Sequence, residues 1–284
     1  MEGITITIEE TRQYFRDFTC ELLTSNPKNK DIIREFYSQR NNNTLGEYLK
    51  NKAWDEDLGG ETRIYLVKDS YGRVVLFFSL KCGLLFRKNQ YDKLEEDERS
   101  FVDMLVKAKQ EDDQETINNY YEYGSAEFSD IDRLFKIADK RIDSKNETRE
   151  LGDGQYTLKV EECFSGIELR HFCKNEAYSY PDEFKTPIGF GIFWEVIVRE
   201  LLKITSQIGC KYLYLFAADK TENSDIKKLV RYYKSALKFY ECEEDDIIII
   251  KPEYDDNCYG LIQEISKLPG NWEAVWQEFS DVYI

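Results

Sequence analysis

Residues 167 to 193 place a strand pattern ahead of a turn that is rich in glycine. Gly189 and Gly191, in Thr186-Pro187-Ile188-Gly189-Phe190-Gly191, stand one residue apart where a helical pattern begins. Glycine has no Cβ, so another group can approach its backbone closely. The first amides of a helix have no intrahelical partner and lie at the positive end of the helix dipole. The turn therefore predicts an anion site that requires no basic side chain.

Two reactive side chains lie on the strand before this turn. His171 is the only histidine of the chain, and its ordinary pKa near ~6.5 would suit a base. Single histidines are more often packed or hydrogen-bonded than catalytic, so we favour a packing role. Cys173 could suggest a covalent route through its thiol, but a buried strand cysteine usually acts as a small apolar filler.

The elements that position this segment follow from the periodicity of the apolar residues. The first third contains a hairpin with strands Arg63 to Val67 and Val74 to Leu80, preceded by looser helical spacing at Thr11 to Leu23 and Ile32 to Leu49. The second half alternates strands and helices in an α/β order. Its predicted elements are strands Gln155 to Val160 and Ile167 to Cys173, helix Gly191 to Ile204, strand Tyr212 to Ala217, helix Asp225 to Tyr240, strands Asp246 to Lys251 and Cys258 to Glu264, and helix Asn271 to Ile284.

Residues 91 to 150 differ from the rest in composition, with 18 acidic and 10 basic side chains. Apolar residues at helical spacing around Phe101 to Ala108 and Ile131 to Ala138 predict two helices, joined by an acidic link near Glu111 to Glu115. We interpret the chain as a single domain, residues 1 to 284, with a helical insertion at 91 to 150.

The composition of the chain limits the kinds of partner that the protein is expected to bind. A net charge of −16 would repel a phosphate backbone, so the sequence predicts no nucleic-acid partner. The longest aliphatic run, Ile247 to Ile250, is far shorter than a membrane helix, and the N-terminus does not read as a signal segment, so we expect a cytoplasmic protein without a membrane partner. The seven cysteines include no C-x-x-C pair, so neither a disulfide framework nor a metal site is expected.

The strand and turn together resemble the core of the GNAT acyltransferases. In that family a strand that binds the pantetheine arm precedes an Arg/Gln-x-x-Gly-x-Gly/Ala loop over the coenzyme A pyrophosphate, and here Thr186 replaces the Arg or Gln. The strand segment His171-Phe172-Cys173-Lys174-Asn175 resembles a subset of the family. Further family segments are similar to Lys211-Tyr212-Leu213-Tyr214-Leu215-Phe216-Ala217-Ala218-Asp219 and to Tyr232-Tyr233-Lys234-Ser235-Ala236-Leu237-Lys238-Phe239. The resemblance covers roughly residues 60 to 87 and 155 to 265. It implies a mostly antiparallel twisted sheet, with a V-shaped splay between two parallel strands and helices on its flanks.

The resemblance also implies roles. Acetyl-CoA would be the co-substrate, and Tyr233 and Glu168 would act as acid and base, although Tyr233 could be a core tyrosine and Glu168 could point to solvent. The implied coenzyme-binding residues are Phe172, Cys173, Lys174, Thr186, Gly189, Phe190, Gly191 and Ile192.

The implied activity is direct N-acyl transfer to an amine of a small molecule or protein, with the oligomeric state left open. The acidic insertion would favour a cationic acceptor. A protein that binds coenzyme A without turnover is the alternative, because Thr186 departs from the family pattern. A toxin that modifies aminoacyl-tRNA is disfavoured by the net charge.

Removal of residues 91 to 150 should leave a folded core that binds coenzyme A, because insertions at exposed connections are generally tolerated. Thermal melting and calorimetric titration with coenzyme A would measure both properties. An insoluble deletion protein, or one that does not bind coenzyme A, would show that these residues belong to the core.

Overall fold

The computed structural model describes residues 6–38, 43–88, 90–143, 149–151, 158–181, 183–218, 225–252 and 258–283. The strands in chain order are β1 (Thr19–Leu22), β2 (Arg63–Lys68), β3 (Val74–Lys88), β4 (Arg149–Leu151), β5 (Leu158–Lys174), β6 (Tyr212–Ala217), β7 (Tyr240–Glu241), β8 (Ile247–Ile249) and β9 (Tyr259–Glu264). The helices are α1 (Ile8–Arg16), α2 (Asn29–Ile32), α3 (Leu45–Asn51), α4 (Ala53–Gly59), α5 (Glu96–Gln110), α6 (Gln114–Glu127), α7 (Ile131–Asp143), α8 (Ile188–Ile192), α9 (Val198–Thr205), α10 (Ile226–Ser235) and α11 (Leu268–Tyr283). A π-helical turn, Phe193–Ile197, joins α8 to α9, and short 3₁₀ turns occur elsewhere.

The chain divides into two compact units. The first comprises Met1–Leu85, Phe164–Glu244 and Ile249–Ile284, and the second comprises Phe86–Cys163 and Asp245–Ile248. Among the described helices, none combines the length and apolar character that a membrane crossing requires.

A twisted, mostly antiparallel sheet forms the centre of the first unit, with strand order β1-β2-β3-β5-β6-β9-β7. Strand β2 shows how both faces are covered, because its side chains alternate between two cores. Tyr65 and Val67 belong to a core shared with α1, α8, α9 and α11, whereas Ile64 and Leu66 belong to a core shared with the α2 to α4 segment. The mixed α/β fold predicted from the sequence is therefore confirmed.

The second unit contains helices α5, α6 and α7 around an apolar core of its own. That core consists of Leu94, Phe101, Val102, Leu105, Leu134, Ile137 and Ala138. The region predicted to hold two helices thus forms three, and Glu115 lies in the first turn of α6 instead of in a link. The interpretation of residues 91 to 150 as an insertion into a single domain stays a prediction.

Several boundaries differ from the sequence pattern for identifiable reasons. Residues 19–22, predicted as helix, pair as an edge strand with β2, because pairing with a neighbouring strand outweighs a weak helical spacing. Helix α10 ends before Tyr240 because Lys238 adopts a left-handed backbone with φ 59°. The amide of Phe239 then donates to the carbonyl oxygen of Tyr233 at 3.1 Å, which satisfies a carbonyl group of the last helical turn. The two strands predicted between Gln155 and Cys173 are the single strand β5, and residues 155–157 lie outside the described residues.

A buried carboxylate connects three helical segments of the first unit. Glu195, in the π-helical turn, is fully buried, and it accepts hydrogen bonds from Arg12 Nε at 2.8 Å, Arg16 Nε at 2.9 Å and Trp272 Nε1 at 3.0 Å. Arg12 also forms an ion pair with Glu273 on α11 at 3.0 Å. Since a buried charge is tolerated only with partners of this kind, Glu195 holds α1, the π-helical turn and α11 together.

Glu195→Gln should reduce the free energy of unfolding by about 3–5 kcal/mol, because the substitution leaves two arginines beside a neutral amide in a buried site. Urea denaturation followed by circular dichroism would measure the loss. Glu273→Gln is the matched control and should cost less than about 1 kcal/mol, since the Glu273 side chain is 63% exposed. Equal losses in the two variants would contradict the role given to Glu195.

Candidate functional site

The parallel strands β5 and β6 are paired over only part of their length. The pairs are Gly166 with Tyr212, Ile167 with Leu213, and Glu168 with Tyr214. Both strands are described in full beyond this point, β5 to Lys174 and β6 to Ala217, but no further β5–β6 pair forms in these described residues. The backbone of β5 after Glu168 is therefore unpaired on its β6 side, and a slot opens between the two strands. This divergence is the predicted V-shaped splay.

An irregularity in β5 coincides with the divergence. Ile167, Leu169 and Phe172 all face the core shared with α1 and α8, so the alternation of side chains shifts by one residue between Leu169 and Phe172. Within this interval Arg170 and His171 lie on the opposite face. The His171 ring centroid is 4.3 Å from that of Tyr48, and the charge of Arg170 acts on the Tyr48 phenol. Two consecutive residues on one face constitute a β-bulge, which bends a strand away from its neighbour.

Asn175 fixes the end of β5, a role that the sequence analysis missed. Its backbone amide donates to the Val75 carbonyl oxygen at 2.8 Å, and its Nδ2 donates to the Val74 carbonyl oxygen at 2.8 Å. Its Oδ1 accepts from the amides of Tyr37 at 3.0 Å and Ala177 at 3.1 Å. An asparagine directly after a strand is the signal that could have indicated such a turn.

The predicted pantetheine-binding residues at this strand end point in different directions. Phe172 packs towards α8, and Lys174 is exposed. Cys173 is buried on the opposite face, where its Sγ donates to Ser38 Oγ at 3.2 Å and burial raises the pKa of the thiol. A raised pKa disfavours the thiolate, so the geometry suits backbone binding better than a cysteine nucleophile.

The predicted anion site lies at the start of α8. The first helical hydrogen bond runs from the Gly191 amide to the Pro187 carbonyl oxygen at 3.2 Å. The amides of Ile188 and Gly189 lie before this bond, so they have no acceptor within the helix. Thr186 is buried, and its carbonyl oxygen accepts from Tyr180 Oη at 2.9 Å. A buried threonine cannot reach out to a phosphate as an arginine would. Any anion here would therefore depend on the helix amides.

The two glycines of this turn serve different purposes. A Cβ on Gly189 would lie 3.2 Å from Tyr232 Oη and 3.5 Å from Phe172 Cζ, so the end of β5, the start of α8 and helix α10 meet there. A Cβ on Gly191 would lie 2.1 Å from the ring of Phe15, which is fully buried. Gly191 is thus required for the packing of α1 against α8. The predicted role of both glycines in coenzyme binding stays a prediction, and Gly191 has this packing role in addition. Phe190 and Ile192, also predicted to contact the coenzyme, have side chains buried in the core.

Adjacent tyrosines of α10 face different surroundings. The hydroxyl of Tyr232 lies beside Gly189, and burial raises the pKa of this phenol. The ring of Tyr233, the predicted acid, packs edge to face against the buried Phe239 at a centroid distance of 6.2 Å. Nothing in the local sequence favours Tyr232 over its neighbour, because only tertiary packing brings it to the start of α8.

Glu168, the predicted base, is the last β5 residue paired with β6. It is partly buried, and burial raises the pKa of its carboxyl, although the charges of Arg170 and Lys81 act in the opposite direction. A carboxylate with a raised pKa is a stronger base near neutral pH. The structure therefore places a carboxyl group at the point where the pairing of β5 with β6 ends, and its role as a base stays a prediction.

His171 lies on the same face of the sheet as Glu168. Its Nδ1 is hydrogen-bonded to Ser79 Oγ at 2.8 Å, and burial lowers the pKa of its ring to about 4. The imidazole is therefore neutral at pH 7. The geometry agrees with the packed and hydrogen-bonded role favoured from the sequence.

Tyr214, opposite Glu168, spans two glycines. The Tyr214 hydroxyl would lie 1.8 Å from a Cβ on Gly83, and its ring would lie 3.2 Å from a Cβ on Gly166. Burial and the charge of Glu168 raise the pKa of this phenol. Because both glycines lack a side chain, the ring can lie against β5 at Gly166 while its hydroxyl reaches β3 at Gly83.

Comparisons with known proteins give weak likenesses only. No family model matches the chain, and no curated protein matches it. Among solved structures, a point mutant of the AtaT toxin is 10% identical, with a TM-score of 0.48, over 90% of this chain and 94% of that chain. AtaTR bound with AcCoA is 12% identical, with a TM-score of 0.47, over 90% and 98% of the two chains. AtaT complexed with acetyl-methionyl-tRNAfMet is 12% identical, with a TM-score of 0.45, over 90% and 99%. TM-scores of this size do not indicate the activity of this chain.

The prediction that the protein has no nucleic-acid partner is wrong. It depended on net charge alone, whereas AtaT, which aligns with 90% of this chain, has been solved with a tRNA. A phosphate interacts with the local patch that it meets, and a total of −16 does not describe that patch. The charge therefore excludes neither a nucleic-acid partner nor an acceptor that is attached to one.

Gly191→Ala should lower the free energy of unfolding by about 1–3 kcal/mol, because the added methyl group overlaps the Phe15 ring and the core must shift. Gly189→Ala should be neutral, or stabilising by up to about 1 kcal/mol, since alanine is the better helix former and its methyl meets only the end of a side chain. Urea unfolding of both variants gives the comparison. A Gly191→Ala protein as stable as Gly189→Ala would contradict this packing.

Proposed function

We propose that the chain is an N-acyltransferase that moves an acyl group, by default acetyl, from acyl-CoA to an amine. The observation that carries the proposal is the slot between the parallel strands β5 and β6, which opens after Glu168 and meets the start of α8 at Gly189. The motif resemblance to GNAT acyltransferases points to the same reaction. Unpaired strand backbone suits the amide groups of a pantetheine arm, and free helix amides suit a pyrophosphate.

Different residues of the chain would bind different parts of the coenzyme. The β5 backbone from Phe172 to Lys174 would hold the pantetheine arm, and the amides of Ile188 and Gly189 would hold the pyrophosphate. Thr186, Phe190, Gly191 and Ile192 would shape this turn from within the core. Tertiary packing would keep the turn in place before the coenzyme binds, which lowers the cost of binding.

The transfer itself requires two proton movements. The amine nitrogen attacks the thioester carbonyl, a C–N bond forms, the C–S bond breaks, the nitrogen loses a proton and the thiolate gains one. Glu168 would accept the proton of the amine, directly or through water. Tyr233 would donate to the thiolate, and the hydroxyl of Tyr232 would contact the coenzyme beside Gly189.

Gly189→Val should weaken coenzyme A binding at least about tenfold, because the larger side chain fills the space between Phe172 and Tyr232 and a charged hydrogen bond is worth about 1.5–3 kcal/mol. Gly209→Val is the matched control and should leave the affinity unchanged, since nothing lies within 4 Å of a Cβ at Gly209. Calorimetric titration of the full chain measures both affinities. Unaltered affinity in a folded Gly189→Val protein would place the coenzyme elsewhere.

Turnover separates an enzyme from a protein that only binds coenzyme A. Thiol release from acetyl-CoA would be followed with a panel of amines that includes an aminoacyl-tRNA, because the net charge of the chain does not exclude an acceptor attached to a nucleic acid. Release that depends on an amine supports the transferase. Tight binding without release by any amine favours the alternative, a coenzyme A-binding protein in which the buried Thr186 replaces the phosphate clamp.

The tyrosine pair tests the mechanism within one helix. Tyr233→Phe should lower kcat by about 10²–10⁴-fold if this phenol is the acid, with little change in coenzyme affinity. Tyr232→Phe should instead raise the KM for the coenzyme by about fivefold, because it removes one neutral hydrogen bond. A fall in kcat confined to Tyr232→Phe would transfer the acid role to Tyr232.

A further inference from the structure

Two cations beside Glu168 have no carboxylate partner in the part of the chain that the structure describes. Lys81, on β3, and Arg170, on β5, are both partly buried, and both act on the Glu168 carboxyl by charge. Within the described ranges neither forms an ion pair. By contrast, Arg12 and Arg16 are paired with Glu195, and Lys68 is paired with Glu21. Unpaired, partly buried cations are unexpected in a chain with a net charge of −16.

The guanidinium of Arg170 has spare donors. Its one hydrogen bond to a described residue runs from Nη1 to Thr62 Oγ1, and it is long at 3.4 Å. Arginine carries five N–H donors, so most of them have no partner among the described residues. The guanidinium nitrogens of Arg170 are not among the buried atoms that lack a hydrogen-bond partner. Solvent therefore reaches the donors that have no protein partner. The charge of Arg170 acts on the Glu168 carboxyl and on the Tyr48 phenol, and Tyr48 Oη donates to Glu56 Oε2 at 2.7 Å.

The site is built on rigid elements. Both cations project from strands of the central sheet, and the bulge in β5 sets Arg170 next to His171 on the face where Glu168 lies. Tyr214, held across Gly83 and Gly166, borders the same area. Groups fixed by a sheet can hold a ligand atom near Glu168 in a defined position.

We propose that Lys81 and Arg170 form an anion subsite next to Glu168, and that the acceptor amine carries a carboxylate or a phosphate group. This inference rests on the proposed acyl transfer, because it assigns Glu168 the acceptor amine. The subsite holds the anionic group while the neighbouring amine faces the slot. Carboxylate and phosphate both fit the fork of an arginine, so their shared charge is the recognised feature.

Matched amines test the subsite with the full chain and acetyl-CoA. Tyrosine against tyramine reports on a carboxylate, and phosphoethanolamine against ethanolamine reports on a phosphate. The value of kcat/KM for at least one anionic member should exceed that of its neutral counterpart about tenfold or more, since a charged hydrogen bond is worth about 1.5–3 kcal/mol. The pair that shows the preference identifies the anion. A ratio near or below one in both pairs overturns the inference.

Variants locate the preference. Arg170→Gln and Lys81→Gln should each lower the ratio of anionic to neutral kcat/KM about tenfold. Arg34→Gln and Lys203→Gln are matched controls, because these side chains are 77% and 70% exposed, and they should leave the ratio unchanged. A preference that survives in both subsite variants places the anion elsewhere and overturns the assignment. If a variant does not fold, the ratio measured for the unsubstituted chain decides whether the preference exists.

Binding measurements separate this inference from the proposed function. Calorimetric titration of the same four amines is carried out in the presence of coenzyme A. Tighter binding of the anionic members that is lost in Arg170→Gln supports the subsite even if no amine is acylated, in which case only the transferase proposal fails. Turnover without a preference for the anionic members leaves the transferase intact and removes the subsite.

Discussion

The bulge in β5 is the constraint on which the rest of the first unit depends. The pairing of β5 with β6 ends at Glu168, directly before the residues at which the alternation of β5 side chains shifts. One extra residue between Leu169 and Phe172 turns Phe172 towards α8, and it leaves His171 and Cys173 on the opposite face. The bonds of Asn175 to the carbonyl oxygens of Val74 and Val75 then secure the displaced strand end. The opening is thus part of the sheet, and it does not depend on a mobile loop.

Partly or fully buried charged side chains have two different surroundings in the first unit. Glu195 is buried with its partners, and the network of Arg12, Arg16 and Trp272 fixes the helix whose first turn ends the slot. A buried ion pair of this kind adds little net stability, but its loss is costly, so it specifies one arrangement of helices. Beside Glu168 the cations Lys81 and Arg170 are left without an ion pair to any described residue. The contrast separates charges that hold the fold from charges that can bind a ligand.

Glycine is used at the slot to make room for aromatic rings. Gly191 accommodates Phe15, and Gly83 and Gly166 accommodate Tyr214. In each case the ring occupies the volume that a side chain would have filled, so α1 packs closely on α8 and Tyr214 lies close to both β3 and β5. Gly189 instead borders the meeting point of β5, α8 and α10. A pair of glycines in one short motif therefore combines a packing role with an open approach.

The sequence by itself determined the local elements that have a strong period or a clear turn signal. Strand β6 was predicted at its observed bounds and the hairpin was placed correctly, because neighbouring residues define them. The helix at the two glycines was predicted from Gly191, but it begins at Ile188. The partners were decided by the tertiary structure. Glu195 read as one acidic residue among many, and Tyr232 could not be told from Tyr233, since their surroundings come from segments that are distant in the chain. Burial and pairing depend on the whole sheet, so only the fold showed which charges are satisfied and which are available.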